Sequence, residues 1–234
     1  MPHQSPDDNK LERLPRGRHG LSREAVTASQ RERILRSMVE VVAERGYPET
    51  RVVDVIKRAG VSRKTFYEFF GDREDCFLAA YDLALGELYR GTELAYESAS
   101  GEPWAERIRL ALETFLGMMA AQPERAKFCI VDVLSAGPRA LARRDAAIRQ
   151  FAGIIDAGRA ESELDLPAIT ALSIAGGINE LIYSELLSGA GPQLPQRLPE
   201  IIYWLTQPFL GTDAAEAERQ RATALLRSDG AEPT

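Results

Sequence analysis

Histidine and cysteine are nearly absent from this chain of 234 residues. The two histidines, His3 and His19, lie near the N-terminus, so the rest of the chain has no imidazole to act as a general base or metal ligand. The two cysteines, Cys76 and Cys129, are far apart, and no partners stand at metal-ligand spacing. We therefore expect no enzyme, no cofactor and no metal site. Two isolated cysteines indicate a reducing, cytoplasmic compartment, and their apolar context indicates that both are buried.

Long hydrophobic runs are also missing. The most apolar stretch, residues 168–187, is interrupted by Asn179, Glu180 and Glu185. It is therefore too polar for a membrane span and better suited to a buried interface. No apolar segment follows the basic N-terminus, so a targeting signal is not expected. No stretch alternates like a strand over more than a few residues, which predicts an all-α fold that does not enter a membrane.

The charge is distributed unevenly along the chain, although its net value is −6. The first 75 residues hold 15 basic and 13 acidic side chains, which leaves 14 basic and 22 acidic side chains for the remainder. An acidic body behind a mildly basic head would orient the protein on a polyanion such as DNA. The alternative is a random scatter of charges over solvated surfaces. Clustering of the head's cations at two places favours the first interpretation.

Residues 51–70, RVVDVIKRAGVSRKTFYEFF, predict two short helices joined by a tight turn. Thr50 stands at the N-cap position of the first helix and Ser62 at that of the second. Gly60 stands in the turn, where a left-handed backbone costs glycine least. The aromatic residues Phe66, Phe69 and Phe70 share one face of the second helix and would hold it against the protein.

The exposed first turn of this second helix carries Arg63, Lys64 and Thr65. Cations and hydroxyls at this place suit phosphates and guanine edges, so the helix is predicted to enter a DNA major groove. Judged by spacing alone, an ordinary helical hairpin with a solvated basic end is the alternative. The flanking segments favour the first interpretation. Residues 31–46 predict a helix that crosses the hairpin, and Asp72 begins another helix after Gly71.

Many positions in fixed order within this segment carry a family resemblance. They are Arg33-Ile34-Leu35, Ala43-Glu44-Arg45-Gly46-Tyr47, Thr50, Val55-Ile56, Ala59-Gly60-Val61-Ser62, Thr65-Phe66-Tyr67, Phe70 and Asp72-Arg73-Glu74. The stretch from Gln30 to Tyr81 resembles the N-terminal DNA-binding domain of the TetR family of bacterial transcriptional regulators. The resemblance covers roughly the first third of the chain. Two positions depart from the family pattern, since Phe69 replaces a usual histidine and Arg73 a usual lysine.

The resemblance implies a set of DNA contacts. Carried over from the family motif, Thr50, Ser62, Thr65 and Tyr67 would contact phosphates, and Arg73 stands in place of the family lysine that does so. We expect Arg63 and Lys64 to contact bases or nearby phosphates at the start of the recognition helix. Phosphate contacts set the register and affinity of the protein on DNA, whereas the choice of sequence needs contacts to base edges.

A basic arm precedes the predicted head. The segment LERLPRGRHGLSR at residues 11–23 combines four arginines with Pro15, Gly17 and Gly20, which discourage regular structure. Arms of this kind can lie in the minor groove, and we expect Arg16 and Arg18 to contact DNA in this way. The alternative, held equally open, is a disordered and solvated tail.

The sequence predicts four regions. Residues 1–28 form the flexible arm, 29–75 the three-helix helix-turn-helix domain, 76–227 an effector-binding and dimerisation domain, and 228–234 a disordered tail. Helices are expected at residues 31–46, 72–98, 103–121, 125–135, 138–158, 167–187, 196–210 and 214–227. Breaks are expected at Gly137-Pro138, at residues 189–192 and at Gln207-Pro208.

The resemblance also implies how the body would act. Its last two long helices would pair with their copies in a four-helix homodimer interface, although burial within one subunit is the alternative. A small apolar or amphipathic ligand would bind among the body helices and release the protein from its operator on double-stranded DNA. The candidate lining residues are Trp104, Phe115, Met118, Met119, Phe128, Phe151 and Asn179, for each of which a place in the core or interface is the alternative.

The function expected from the sequence is thus a homodimeric transcription factor, most simply a repressor. A DNA-bound scaffold of the same fold, which recruits a protein partner and senses no small molecule, is the alternative function. A sensor would enclose an apolar cavity, whereas a scaffold would have a filled body and an exposed apolar patch.

Overall fold

A computed structural model of the chain describes residues 23–229 as ten α-helices and three short 3-10 helices, without a strand in that range. The predicted all-α fold is therefore confirmed. The α-helices are α1 (Arg23–Arg45), α2 (Val52–Ala59), α3 (Arg63–Phe69), α4 (Arg73–Ser98), α5 (Trp104–Ala121), α6 (Pro123–Ile130), α7 (Pro138–Asp156), α8 (Thr170–Leu187), α9 (Leu198–Leu210) and α10 (Thr212–Asp229). The 3-10 helices span Asp132–Ser135, Ala157–Glu161 and Gly191–Arg197.

The head is a three-helix unit in which α1 packs against α2, and α2 against α3. Its core consists of fully buried apolar side chains from each helix, among them Ile34 and Met38 of α1, Val55 of α2 and Phe66 of α3. Local sequence explains the helix boundaries here. Ser62 Oγ accepts the Thr65 backbone N–H at 3.0 Å, and Asp72 Oδ1 accepts that of Asp75 at 2.8 Å. Both predicted N-caps are confirmed.

The predicted turn at Gly60 is confirmed, whereas the predicted N-cap at Thr50 is not. Gly60 adopts the expected left-handed conformation, with φ of 63°, and ends α2. The predicted N-cap at Thr50 is wrong, because Arg51 occupies the N-cap position of α2. Asp54, three residues later, accepts the Arg51 backbone N–H at 3.2 Å and satisfies the donor that a capping residue leaves open.

Several predicted helix boundaries also shift. Helix α1 begins at Arg23, well before residue 31, and the helix predicted at 125–135 is divided into α6 and a 3-10 helix. Pro208 lies inside α9 and does not break it, because the helix ends only two residues later at Leu210. A proline so close to the end disturbs only the last turn.

The head and body share one contiguous apolar core. Helix α4 connects them, since it begins beside the α1–α2 loop and continues along α5 and α7. The C-terminal helix α10 packs along α9 and so covers part of the apolar surface of α9 within the same chain. Among the helices of residues 23–229, none combines the length and the hydropathy that crossing a bilayer requires.

Candidate nucleic-acid interface and body cavity

The start of α3 is an exposed, cationic surface. Ser62, Arg63 and Lys64 are exposed, and Tyr67 leaves 44% of its surface accessible. The Arg63 guanidinium lies over the Tyr67 ring at 5.7 Å from its centroid, which holds the two side chains side by side. Four of the sequence-predicted DNA contacts are therefore brought together on one accessible face of the head.

The opposite face of α3 is anchored by aromatic packing. Phe66 is fully buried, Phe70 is 5% exposed, and their ring centroids lie 5.6 Å apart. Phe69 is only half-buried, so it contributes less than the predicted trio implied. A helix of seven residues has little stability of its own. Its orientation therefore depends on the anchoring by Phe66 and Phe70.

Two of the predicted phosphate contacts are engaged inside the protein. The Thr50 side chain is fully buried and its hydroxyl donates to the Gly46 carbonyl at 2.9 Å. The Arg73 guanidinium donates to the carbonyls of Tyr47 and Thr50 at 3.2 and 2.5 Å and stacks on the Tyr47 ring at 4.2 Å. Both side chains thus hold the α1–α2 loop in place, and their contacts with phosphate stay predictions.

Thr65 differs from its exposed neighbours because its hydroxyl lies 2.9 Å from Ser62 Oγ within the cap. The side chain is half-buried, and it orders the first turn of α3. Arg16 and Arg18, predicted to reach the minor groove, lie outside residues 23–229, and their DNA contacts stay predictions as well.

The body contains a partly open apolar cavity of about 80 Å³ between α4, α5, α7 and α8. Aliphatic and aromatic side chains from these four helices form most of its wall. They include Leu85 and Leu88 of α4, Ile108 and Leu112 of α5, Ile148 and Phe151 of α7, and Ile178 and Ile182 of α8. Four predicted ligand residues line it, namely Phe115, Met119, Phe151 and Asn179. The rings of Phe115 and Phe151 meet edge to face at 5.1 Å.

The structure places the other three predicted ligand residues away from this cavity. Trp104 is 1% exposed and packs against Phe209, with ring centroids 4.8 Å apart. Phe128 is fully buried against Phe77 at 4.6 Å, where head and body meet. The Met118 sulfur lies close against the backbone of Gly91. Each of the three fills space between helices and leaves no surface to the cavity.

Polar groups are few in the cavity wall. The Thr92 hydroxyl donates to the Leu88 carbonyl at 2.9 Å, so its donor is used within α4. Burial raises the pKa of the Cys129 thiol to about 12 and raises the pKa of the Tyr81 phenol above its ordinary value. Both groups are therefore uncharged at neutral pH. Asn179 Nδ2 and Arg144 Nε are buried without a hydrogen-bond partner among residues 23–229.

Sequence reasoning missed Tyr81, Thr92, Cys129 and Arg144 as cavity residues. Arg144 could have been suspected, because it falls four residues before Ile148 and seven before Phe151 on the apolar stripe of α7. The other three carry no such signal. Which of several buried side chains borders an empty space depends on how the helices pack, and the periodicity of one helix does not report it.

An apolar face on α8 and α9 is left uncovered within the described chain. Ile174 and Ile182 of α8 point into the core, whereas Leu172 and Leu187 on the other side are 39% and 56% exposed. Trp204 of α9 lies beside them, 44% exposed, with its indole directly over Gly177. A Cβ at residue 177 would lie 2.3 Å from the indole, so glycine permits this close packing of α8 and α9.

Comparison with known proteins identifies the head. The family model described as bacterial regulatory proteins, tetR family, matches residues 34–80, which span α1 from Ile34, the α2–α3 hairpin and the start of α4. The HTH-type transcriptional regulator EthR of Mycolicibacterium smegmatis is 26% identical over 210 residues, covering 86% of this chain and 92% of EthR. The likeness to EthR thus extends through the body.

Two further similarities are to regulators of Bacillus subtilis. The fatty acid metabolism regulator protein of Bacillus subtilis is 30% identical over 88 residues, covering 37% of this chain and 44% of that protein. The crystal structure of the transcriptional regulator FadR from Bacillus subtilis in complex with stearoyl-CoA has the same fold, with a TM-score of 0.67 at 19% identity. That likeness covers 77% of this chain and 98% of FadR.

The matched helix-turn-helix head, the exposed cations of α3 and the relatives agree on one assignment. Proteins of this kind regulate transcription and are not enzymes. Among residues 23–229 no three histidine, cysteine or acidic side chains are grouped as a metal site would need. Residues 34–80 form a DNA-binding domain of the TetR family of bacterial transcriptional regulators, and the chain is a DNA-binding regulator.

Proposed function

We propose that this protein is a repressor that leaves its operator when a small amphipathic ligand enters the body cavity. The observation that carries this proposal is the course of α4. Its first residue, Arg73, donates to carbonyls of the loop before α2, and about two and three turns later Tyr81 and Leu85 line the cavity. A ligand that displaces the wall at Leu85 would therefore shift a helix that also positions the recognition hairpin.

Helix α6 supports the same coupling from a second side. It packs against α1 of the head, and its Cys129 and Ile130 line the cavity. The structure of FadR with stearoyl-CoA shows that a relative with this fold holds an amphipathic molecule. We assign residues 29–75 to DNA binding and residues 76–227 to effector binding and dimerisation on this basis.

The first expected outcome concerns Lys64. Selection of genomic duplex fragments at low salt should recover an operator, and Lys64→Ala should then lose about 1–3 kcal/mol of discrimination between operator and random DNA. The reason is that Lys64 is exposed at the start of α3, where a side chain can reach base edges. Tyr67→Phe should weaken binding to both kinds of DNA alike, because a phosphate contact carries no sequence information.

Fluorescence anisotropy titrations on both kinds of DNA at several salt concentrations would measure these effects. Arg149→Ala is the matched control, since it removes one exposed cation from α7 of the body. Equal losses on operator and random DNA for Lys64→Ala would reduce Lys64 to a phosphate contact. Failure to recover any fragment would exclude the DNA-binding function itself.

We further propose that the exposed face of α8 and α9 pairs with the same face of a second copy. Leu172, Leu187 and Trp204 form an apolar patch there, with Gly176 permitting close approach of the partner helix. A two-fold dimer would present its two α3 helices to successive major grooves, about 34–36 Å apart or a multiple of that distance.

The second expected outcome concerns this dimer. Light scattering at micromolar concentration should give twice the mass of one chain, and Leu172→Arg should give a single chain because it buries a charge in the interface. Leu94→Arg is the matched control, since Leu94 is 66% exposed on α4, away from α8 and α9. A single-chain mass for the unaltered protein would exclude the dimer.

A further inference from the structure

Arg144 differs from the other arginines at the start of α7. Arg139 pairs with Glu74 and Asp75 at 3.4 and 3.0 Å, and Arg143 pairs with Asp82, all on α4. The side chain of Arg144 instead lines the cavity and is 22% exposed. Its one ion pair among the described residues is a loose contact of 3.5 Å with the neighbouring Asp145, and its Nε is buried without an acceptor.

Asn179 provides a second unused donor in the cavity wall, from α8. It is 9% exposed, and its Nδ2 has no hydrogen-bond partner among residues 23–229. A buried donor without an acceptor destabilises the folded protein, because it has lost its hydrogen bonds to water. Arg144 and Asn179 lie on different helices, line the same cavity and each hold a donor without an acceptor, which indicates that an acceptor is supplied by something that binds between them.

The charge of the cavity wall indicates which chemical group this acceptor is. Arg144 is the only charged side chain among the lining residues, and no aspartate or glutamate is among them. A guanidinium offers donors in a planar fork that matches a carboxylate. The rest of the wall is almost entirely aliphatic or aromatic, which suits a hydrocarbon chain.

We propose that the effector is an amphipathic carboxylic acid whose carboxylate is bound by Arg144 and Asn179 and whose apolar chain fills the cavity. This inference rests on the proposed function, since it takes the cavity to be the effector site. The volume of about 80 Å³ corresponds to about three water molecules in the liquid, so a chain of several carbons must displace the cavity wall as it enters. Octanoate is a suitable probe.

The test compares octanoate with methyl octanoate, which has the same chain and a neutral carbonyl group. Calorimetry on the full chain at neutral pH should show that octanoate binds about 10–100 times more tightly than the ester, because only the acid forms a charge-assisted pair with Arg144. Arg144→Gln should remove this preference while ester binding persists. Asn179→Leu should weaken both ligands, since its amide donates to a carbonyl oxygen of either.

Arg149→Gln is the matched control, because it makes the same change on the exposed side of α7 and should leave both affinities unaltered. Circular dichroism of each variant verifies that it is folded. Equal binding of acid and ester by the unaltered protein, or unaltered octanoate affinity in Arg144→Gln, would overturn the proposal.

A DNA-release measurement separates this proposal from the proposed function. If the ester binds and releases operator DNA as well as the acid does, the ligand-responsive repressor stands and the carboxylate assignment falls. If neither probe binds or changes operator affinity at saturating concentration, both proposals fail. Octanoate-driven release that Arg144→Gln abolishes and Arg149→Gln retains would support both.

Discussion

Phe66→Ala is expected to lower the free energy of unfolding by about 3–5 kcal/mol and to abolish operator binding. Phe66 of α3 is fully buried in the apolar core, where its ring meets Tyr67 at 5.3 Å and Phe70 at 5.6 Å. Alanine would leave a cavity in a core too small to collapse around it. The short helix α3 would then lose the packing that directs Arg63 and Lys64 outward.

Urea unfolding followed by circular dichroism would measure the loss of stability, and anisotropy would measure DNA affinity. Phe69→Ala is the matched control, because it makes the same change at a half-buried site of the same helix and should cost less. Phe66→Leu retains most of the side-chain volume, so its free energy of unfolding can be measured if the alanine variant does not fold. A loss for Phe66→Ala no larger than that for Phe69→Ala would contradict the proposed anchoring of α3.

The second large effect is expected in the body, where Trp104→Ala should cost about 3–5 kcal/mol of unfolding free energy. The indole is 1% exposed and lies against both Phe209 of α9 and the backbone of Gly158. The Trp104 backbone N–H also donates to the Glu161 carboxylate at 2.9 and 3.0 Å. This one residue therefore joins the start of α5 to the 3-10 helix that follows α7 and to α9.

Gly158→Ala tests the same contact from the other side. A Cβ at residue 158 would lie 2.5 Å from the indole, closer than packed atoms come, so one of the two must shift and stability should fall. Leu134→Ala, at a 41% exposed site, is the control for both changes and should have little effect. Thermal and urea unfolding would measure all three. Unaltered stability of Gly158→Ala would show that the indole does not pack on this backbone.

Local interactions explain what could be predicted from the sequence. The caps at Ser62 and Asp72, the left-handed turn at Gly60 and the apolar stripe of α1 each depend on residues within about one helical turn of each other. The head consists of such features in fixed order, so its three helices and the exposed start of α3 could be predicted from the sequence. The N-cap prediction at Thr50 is wrong because the Thr50 hydroxyl donates to the Gly46 carbonyl and the N-cap lies one residue later, at Arg51.

In the body, neighbours in the sequence do not decide which apolar side chains border the cavity. Phe115, Met119 and Phe151 border the cavity whereas Trp104 and Phe128 do not, although all five are apolar residues in helical segments. The difference arises from the helices packed around each residue, and no neighbour in the sequence specifies it. The same holds for α9, whose apolar surface is covered partly by α10 of its own chain.

The amino-acid sequence by itself determined an all-α chain with a capped, cation-bearing recognition helix, because helix periodicity, caps and turns are set by residues close together. Only the tertiary structure decided that Arg73 secures the α1–α2 loop and that Arg144 and Asn179, each with a buried donor that lacks a partner, line the same cavity. Arg144 and Asn179 are 35 positions apart in the sequence. Their relation exists only where α7 packs against α8, since long-range packing brings together groups that share no local pattern.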